Sequence, residues 1–235
     1  SQWGPRKNLE NTIKWFIEEF REEEDVGLVL KMNSANDSRL DRELTSARLH
    51  NLLQTCGPKK CKIYLIHGTI TPGQLKWLYE HSTMRALINI AHGEGFGLPL
   101  FEAATCGLPL VTVTWGGQMD FICAPNKKGR QIPLVAKVDY NILPVQQEAV
   151  WEGVIQKDSL WAHAKEGSFK KAIRAVLEKK KYHVDRARTL QKHILKNFSP
   201  KEKYEQFVDA VYGAHKPRLA LEDVPKISII TSVYD

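Results

Sequence analysis

Residues 86–113 read ALINIAHGEGFGLPLFEAATCGLPLVTV, and the reading of this stretch decides the fold. Ala86-Leu87-Ile88-Asn89-Ile90 is a short apolar run, which suits a buried strand better than a helix. It runs into His92-Gly93-Glu94-Gly95-Phe96-Gly97, where glycines free the backbone to bend and to approach a ligand closely. Pro99 then stands in the first turn of a helix, where its missing N–H costs nothing, and Gly107 stops that helix. Leu110 to Val113 follows as another buried strand.

The same alternation extends upstream. Leu9, Ile13, Phe16, Ile17 and Phe20 lie on one face of a helix, with Asn8 as its N-cap. A strand is expected from Val26 to Met32, then a helix facing inward through Leu40, Leu44, Ala47 and Leu52. Lys62 to Ile66 reads as a strand. Thr71 caps a helix that has Pro72 in its first turn and turns Leu75, Leu78 and Tyr79 inward. Strands separated by helices, with no tight two-residue hairpin, predict a Rossmann-like parallel sheet flanked by helices.

Downstream, Ala124 to Val150 is proline-containing and reads as mostly loop. Three helices follow. The first is marked by Phe169, Ala172, Ile173, Val176 and Leu177, and the second by Val184, Ala187, Leu190 and Ile194. The third opens at Ser199-Pro200 with Glu202 completing a capping box. One domain is therefore expected over residues 1–213, then a polar linker over 214–226. Residues 227–235 read as the truncated first strand of a following domain.

Composition narrows the classes. The chain has 235 residues, 43% of them hydrophobic, which excludes a disordered protein. No apolar run approaches the ~20 residues of a membrane span, and the first residues lack the apolar core of a signal peptide. A cytoplasmic protein is the expectation. Cys56 and Cys61 have no second Cys/His pair at metal spacing, so the four cysteines read as reduced thiols and no metal is expected. The formal charge is +7, with much of the excess between Lys165 and Lys196, where a solvated helix face explains it. No nucleic-acid-binding signature accompanies the charge.

The chemistry concentrates at Glu94-Gly95-Phe96-Gly97-Leu98-Pro99-Leu100-Phe101-Glu102. Ligands of open α/β sheets bind at the carboxyl ends of the strands. Free N–H groups at the start of the following helix favour an anion such as a diphosphate. Glu94 and Glu102 are carboxylates suited to accept hydrogen bonds from sugar hydroxyls at both ends of a nucleotide sugar. A plain glycine-rich turn, with an acid favouring the helix dipole, fits the same residues. His92 reads as a buried histidine satisfied by backbone, and Trp77, Trp115, Trp151 and Trp161 as core or covering residues.

From Gly68 to Asp120 the sequence resembles the C-terminal domain of family 4 retaining glycosyltransferases, which have the GT-B fold. The resemblance rests on Glu94 and Glu102 around Gly95-Phe96-Gly97-Leu98-Pro99, then Ala103, Gly107-Leu108-Pro109 and Thr114-Trp115-Gly116-Gly117. It extends more weakly over Pro5 to Gly213. It implies that Glu94 contacts the donor sugar near the reacting carbon, and that Glu102 binds the ribose. Gly95, Phe96, Gly97 and Leu98 would present backbone N–H groups to sugar or diphosphate. Lys7 would neutralise the departing diphosphate, where charge develops in the transition state. Ile70 would pack near the base. Ser1-Gln2 stands where the family has Gly-Arg, which leaves Arg6 as the candidate substitute for a phosphate-binding arginine. His92 or Gly93 replaces the family's serine before the first glutamate, on a shortened loop, and Asp120 stands where a glutamate is common.

Together these imply a donor-binding half that takes a nucleoside-diphosphate sugar and transfers the sugar to a glycan, lipid or other hydroxyl acceptor with retention, in glycan biosynthesis. An N-terminal acceptor domain would belong to the same polypeptide. The tail from Pro225 to Tyr234 resembles the opening strand of family 2, GT-A-type glycosyltransferases, which implies a following transferase module. The alternatives are a GT-B-fold sugar-nucleotide epimerase or phosphorylase, or a non-catalytic sugar-nucleotide-binding module.

Overall fold

A computed structural model describes residues 2–213 of the chain; the expected linker and final strand, residues 214–235, lie outside the described residues. The chain divides into two compact units, Ser1–Leu195 and Lys196–Asp235.

The first unit opens with a short 3-10 turn, Pro5–Lys7, and helix α1 (Leu9–Phe20). Helix α1 buries Ile13, Phe16, Ile17 and Phe20, the face that the spacing predicted. Strands β1 (Gly27–Lys31) and β2 (Lys62–Ile66) pair in parallel, with helix α2 (Arg39–Thr55) between them in sequence. Helix α3 (Pro72–Glu80) starts on a full capping box between Thr71 and Gln74. Strand β3 (Leu87–Asn89) leads to helix α4 (Leu98–Thr105) and strand β4 (Leu110–Val113), as the sequence indicated.

Past a single turn of helix, α5 (Met119–Ile122), the expected loop from Ala124 to Val150 is about half short strands. Strands β5 (Cys123–Pro125) and β6 (Gln131–Pro133) form an antiparallel pair. Strand β7 (Ala136–Val138) joins β4 in parallel, and β8 (Tyr140–Pro144) pairs antiparallel with β9 (Leu160–Ala164). These runs are short and broken by Pro125, Pro133 and Pro144, so they carry no local periodicity. Pairing to β4 and packing of helix α6 (Glu166–Glu178) make Ala136-Lys137-Val138 a strand. Helix α7 (Lys180–Asn197) buries Ala187, Leu190 and Ile194. In the second unit, helix α8 (Pro200–Tyr212) is capped by the Ser199 side chain, which accepts from the Glu202 N–H.

The result is a Rossmann-like α/β unit with parallel pairing throughout its central strands. The sheet is in two pieces, β1-β2 and β3-β4-β7. The facing edges of β1 and β3 line one cavity of about 750 Å³. No helix among the described residues is long and apolar enough to cross a membrane.

Two local expectations are corrected. Asn8 precedes α1 as expected, but its side chain does not cap the helix. Its Nδ2 donates instead to the Ile90 carbonyl at 3.2 Å, tying the helix start to the end of β3. Helix α2 is turned about one residue from the face its apolar residues suggested: Leu40, Leu44 and Ala47 are exposed, Asp41, Thr45 and Leu49 are buried, and of the expected set Leu52 packs against the core. Asp41 explains the difference. Its carboxylate accepts from the backbone of Ser34 at 3.0 Å and Ala35 at 2.8 Å, and meets His67 Nε2 at 2.7 Å. A buried carboxylate with this many partners outweighs two leucines left at the surface.

The His67 contact, offset in part by burial and joined by the backbone donors, lowers the Asp41 pKa to about 2. A carboxylate depressed in the folded state adds stability above its unfolded pKa, near 4, and loses it as pH falls towards the folded value. Thermal unfolding followed between pH 5 and pH 2.5 is expected to show a steep acid loss in the parent protein. Asp41→Asn is expected to be less stable at pH 6 and to show a flatter acid limb. An identical pH profile for both proteins would remove Asp41 from this role.

Candidate functional site

Three segments distant in sequence converge where β3 ends. They are the turn Pro5–Lys7, the loop from Ala91 to Gly97, and the turn from Thr114 to Gln118. Backbone bonds join them: the His92 N–H donates to the Arg6 carbonyl at 2.8 Å, and the Gly117 N–H donates to the Glu94 carbonyl at 2.9 Å. Asn8 adopts φ 53°, in the left-handed region where asparagine is among the few tolerated side chains. This bend swings the chain from the cation-bearing turn into α1.

Glu94 sits at the centre. Its Oε1 accepts from Lys7 Nζ at 2.6 Å and from Asn89 Nδ2 at 3.1 Å, and its Oε2 from Arg6 Nη1 at 3.2 Å. The same Arg6 nitrogen donates to the Gly93 carbonyl at 2.5 Å. The Glu94 side chain is 7% exposed, against 18% for Lys7 and 41% for Arg6. Burial pushes the Glu94 pKa up, but hydrogen bonds from Lys7 and Asn89 and the charges of Lys7 and Arg6 hold it below the usual value. The cluster therefore holds one ionised carboxylate and two cations, with a net positive charge facing the loop.

Helix α4 supplies the second component. Gly97 precedes it at φ 83°, a conformation that favours glycine, and no side chain caps the helix. The N–H groups of Gly95, Phe96, Gly97 and Leu98 donate to none of the described residues. They form a run of unfilled donors at a helix N-terminus, the arrangement that attracts an anion. Phe96 is half-exposed, and its ring packs on Phe101 and Phe121 at centroid distances of 5.2 and 5.1 Å. Leu98 is exposed.

Glu102 lies one turn into α4 and is half-buried. Burial raises its pKa, and its carboxylate accepts no hydrogen bond from any described residue. A carboxylate desolvated without a partner is costly, so it is poised to accept hydrogen bonds from a ligand. Glu102, Ile70 and Lys7 border the same cavity. The sequence-derived site residues thus fall in two groups. Arg6, Lys7 and Glu94 are bonded together, with Gly95–Leu98 beside them, while Ile70 and Glu102 stand at the cavity.

The remaining candidates separate cleanly. His92 is buried; its Nδ1 lies 2.8 Å from the Ala162 carbonyl and its ring stacks on Trp161 at 4.8 Å. Burial lowers its pKa, which favours the neutral ring expected of a structural histidine. Trp161 is buried and Trp115 partly so, whereas Trp77 and Trp151 are exposed rather than core residues. Cys56, Cys61, Cys106 and Cys123 are free thiols. Among the described residues, no group of three or more His, Cys, Asp or Glu side chains is placed to hold a metal ion.

Two contributors escaped the sequence reading. Asn89 orients Glu94 and accepts from the Ala91 N–H at 2.9 Å. An asparagine at the carboxyl end of an otherwise apolar strand was the available signal. Gln118 is buried, donates to the Val113 carbonyl at 3.3 Å, and leaves its Oε1 without a partner. Only the fold brings Gln118 against Gly97, so no local signal marked it.

No protein-family model matches the sequence, and no curated protein matches it. Solved structures do match the fold. Sucrose-phosphate synthase from Thermosynechococcus elongatus aligns with a TM-score of 0.59 at 16% identity, over 92% of this chain and 45% of that one. Anabaena HepE, in complex with UDP and glucose, aligns at 0.59 and 15% identity, over 90% of this chain and 46% of that one. S. aureus TarM aligns at 0.52 and 15% identity, over 89% and 34%. At such identities the likeness establishes the fold, a Rossmann-like half of the GT-B architecture. The chain spans less than half the length of these structures.

The tightest packing at the site is between backbones. A Cβ on Gly117 would lie 1.7 Å from the Gly95 carbonyl oxygen, so only glycine lets the two loops meet. Gly117→Ala is expected to lower stability by about 1–3 kcal/mol, since the clash is with backbone that must shift. Gly167→Ala, in the first turn of α6 with nothing within 4 Å of its added Cβ, should instead gain up to about 1 kcal/mol. Urea unfolding of both variants checks the opposite signs.

Proposed function

We propose that the chain is the donor-binding half of a retaining GT-B glycosyltransferase, taking a nucleoside-diphosphate sugar and passing the sugar to an acceptor hydroxyl. The observation that carries this reading is the cluster of Lys7 and Arg6 on Glu94, beside the open N–H groups of Gly95–Leu98. Cations and helix-terminal donors together suit a diphosphate. The unpartnered Glu102 carboxylate, one helical turn away, suits the ribose hydroxyls, and Ile70 at the same cavity suits the face of a base. The neighbouring fold solved with UDP and glucose supports uridine diphosphate sugars as the first donors to test.

The mechanism follows from how Glu94 is held. A carboxylate has roughly four lone-pair sites, and Lys7, Asn89 and Arg6 occupy three. In the proposed cycle the diphosphate draws Lys7 and Arg6 towards itself, which frees Glu94 to accept from hydroxyls of the donor sugar. Lys7 then faces the oxygen that leaves with the diphosphate, where negative charge grows in the transition state. Release of that charge beside the repositioned cation lowers the barrier without a protein-bound metal in this scheme. Acceptor binding and water exclusion need a second wall to the cleft, for which an N-terminal domain in the same polypeptide is proposed. A cytoplasmic setting fits a soluble nucleotide-sugar supply.

Calorimetry against UDP-, GDP- and ADP-sugars and the free nucleotides tests the reading. At least one sugar nucleotide should bind, and no binding by any of the three classes would overturn it. Glu102→Ala is expected to weaken the free nucleotide about tenfold or more, as loss of a charged acceptor contributes roughly 1.5–3 kcal/mol. Because burial raises the Glu102 pKa, nucleotide affinity should fall with decreasing pH through a point above the ordinary 4.5. Glu102→Gln should abolish that dependence.

Lys7→Ala should weaken every diphosphate ligand and flatten the salt dependence of binding. Glu94→Gln should spare the free nucleotide and reduce discrimination among sugars. Since Lys7 and Glu94 are bonded at 2.6 Å, the double variant should be non-additive in calorimetry. Strict additivity would show that the pair is not one unit.

A further inference from the structure

Two indoles stand at the end of the site away from the cavity that Ile70 and Glu102 border. Neither Trp115 nor any residue of 140–164 lines that cavity. The connector between β8 and β9 instead meets the Glu94 loop from the other direction. His92 Nδ1 donates to the Ala162 carbonyl, so its Nε2 accepts from the Gln146 amide at 3.1 Å. The next residues form a 3-10 turn, Gln147–Ala149, which packs against Pro5–Lys7. The connector therefore stands beside Arg6 and the run His92-Gly93-Glu94.

Trp115, in the turn after β4, closes on the same run. A Cβ added to Gly93 would lie 3.2 Å from its indole, so the ring borders the residue just before Glu94. Trp115 is half-buried and packs against both the main core and the small core of Val145, Ala149 and Trp161. Trp151 follows Ala149 by two residues, which span at most about 7 Å. It is 66% exposed, yet its backbone is fixed. Trp151 and Ile155 exchange both hydrogen bonds of an antiparallel bridge, at 3.0 and 2.7 Å, around Gly153 at φ 79°. Val150 and Ile155, on the two flanks of this turn, pack against the small core. The flanks hold the turn down while the indole is held outward, so little conformational freedom is lost when a ligand covers it.

The surroundings select the ligand. Gln147, Glu148, Glu152 and Gln156 are exposed along the connector. A flat aromatic face among amide and carboxylate acceptors suits a pyranose ring, whose C–H face stacks on the indole and whose hydroxyls donate to those acceptors. A hydrocarbon chain needs continuous apolar surface, which these side chains interrupt.

We propose that Trp151 and Trp115 form a saccharide subsite at the sugar end of the cleft, which makes the acceptor a glycan. Trp151 is its platform and Trp115 its wall next to Glu94. The role of this subsite as the acceptor site rests on the donor-binding reading; its capacity to hold a saccharide does not.

The chain is labelled with 5-fluorotryptophan, and the two resonances are assigned with Trp151→Phe and Trp115→Phe. It is titrated with trisaccharides of glucose, galactose, mannose and N-acetylglucosamine, with and without saturating UDP, and separately with phosphatidylglycerol vesicles. At least one trisaccharide should shift both resonances, whether or not UDP is present. Trp151→Ala should weaken that trisaccharide about fivefold with UDP affinity unchanged, whereas Trp151→Tyr, which keeps an aromatic face, should stay within about twofold of the parent. No shift from any trisaccharide would overturn the subsite even where UDP binds, so it and the donor-binding reading fail separately. Displacement of the trisaccharide by UDP would place it in the donor's position and would also overturn the proposal. So would equal affinity in Trp151→Ala, or shifts produced by the vesicles alone, which would make this surface a lipid contact.

Discussion

The site depends on one buried carboxylate. Glu94 is nearly inaccessible to water, yet it stays ionised because Lys7, Arg6 and Asn89 converge on it. Removing one partner of such a pair leaves a buried charge without compensation, which typically costs 3–5 kcal/mol. The N-terminal turn is thereby fastened to the loop after β3, although the two are 87 residues apart. Everything else at the site is arranged around that join: the open N–H groups follow it in sequence, and Glu102 follows them by one helical turn.

Backbone contacts complete the join where side chains have no room. The meeting of Gly95 with Gly117 brings the turn after β4 against the loop after β3. His92 links the same loop to β9 twice: its ring Nδ1 meets the Ala162 carbonyl, and its own carbonyl accepts from the Ala162 N–H. The loop is thus held by the first turn of the chain, by the turn after β4, and by β9. In the proposed cycle, a ligand that draws Lys7 and Arg6 away from Glu94 meets a loop held on three sides.

Legibility followed how local each signal was. Helices α1, α3 and α4 and strands β2, β3 and β4 were readable, because caps, prolines and apolar runs lie within each segment. The face of α2 was misread. Its buried side is set by Asp41 and Thr45, whose partners Ser34, Ala35 and His67 lie outside the helix. Between Ala124 and Val150, read as mostly loop, the short strands β5 to β8 were missed since such brief runs show no period, and β7 exists by pairing with β4. At the site, Glu94, Glu102 and the glycines stood out in the motif. Asn89 looked like one more strand residue, and Gln118 carried no mark at all.

What the sequence by itself determined is the alternation of elements and the chemistry of one loop: strand, glycines, helix, with a glutamate at each end. Those properties belong to neighbouring residues and survive without the rest of the chain. The tertiary structure alone decided which charges meet. Arg6 and Lys7 are an ordinary basic pair until the Asn8 bend and the Arg6–His92 bond place them against Glu94. It also decided that β1 and β3 face each other across a cavity, which pairing in space defines and sequence order does not. The physical reason is the same in both cases. Ion pairing and strand edges act between segments far apart in sequence, and only the folded backbone sets their distance.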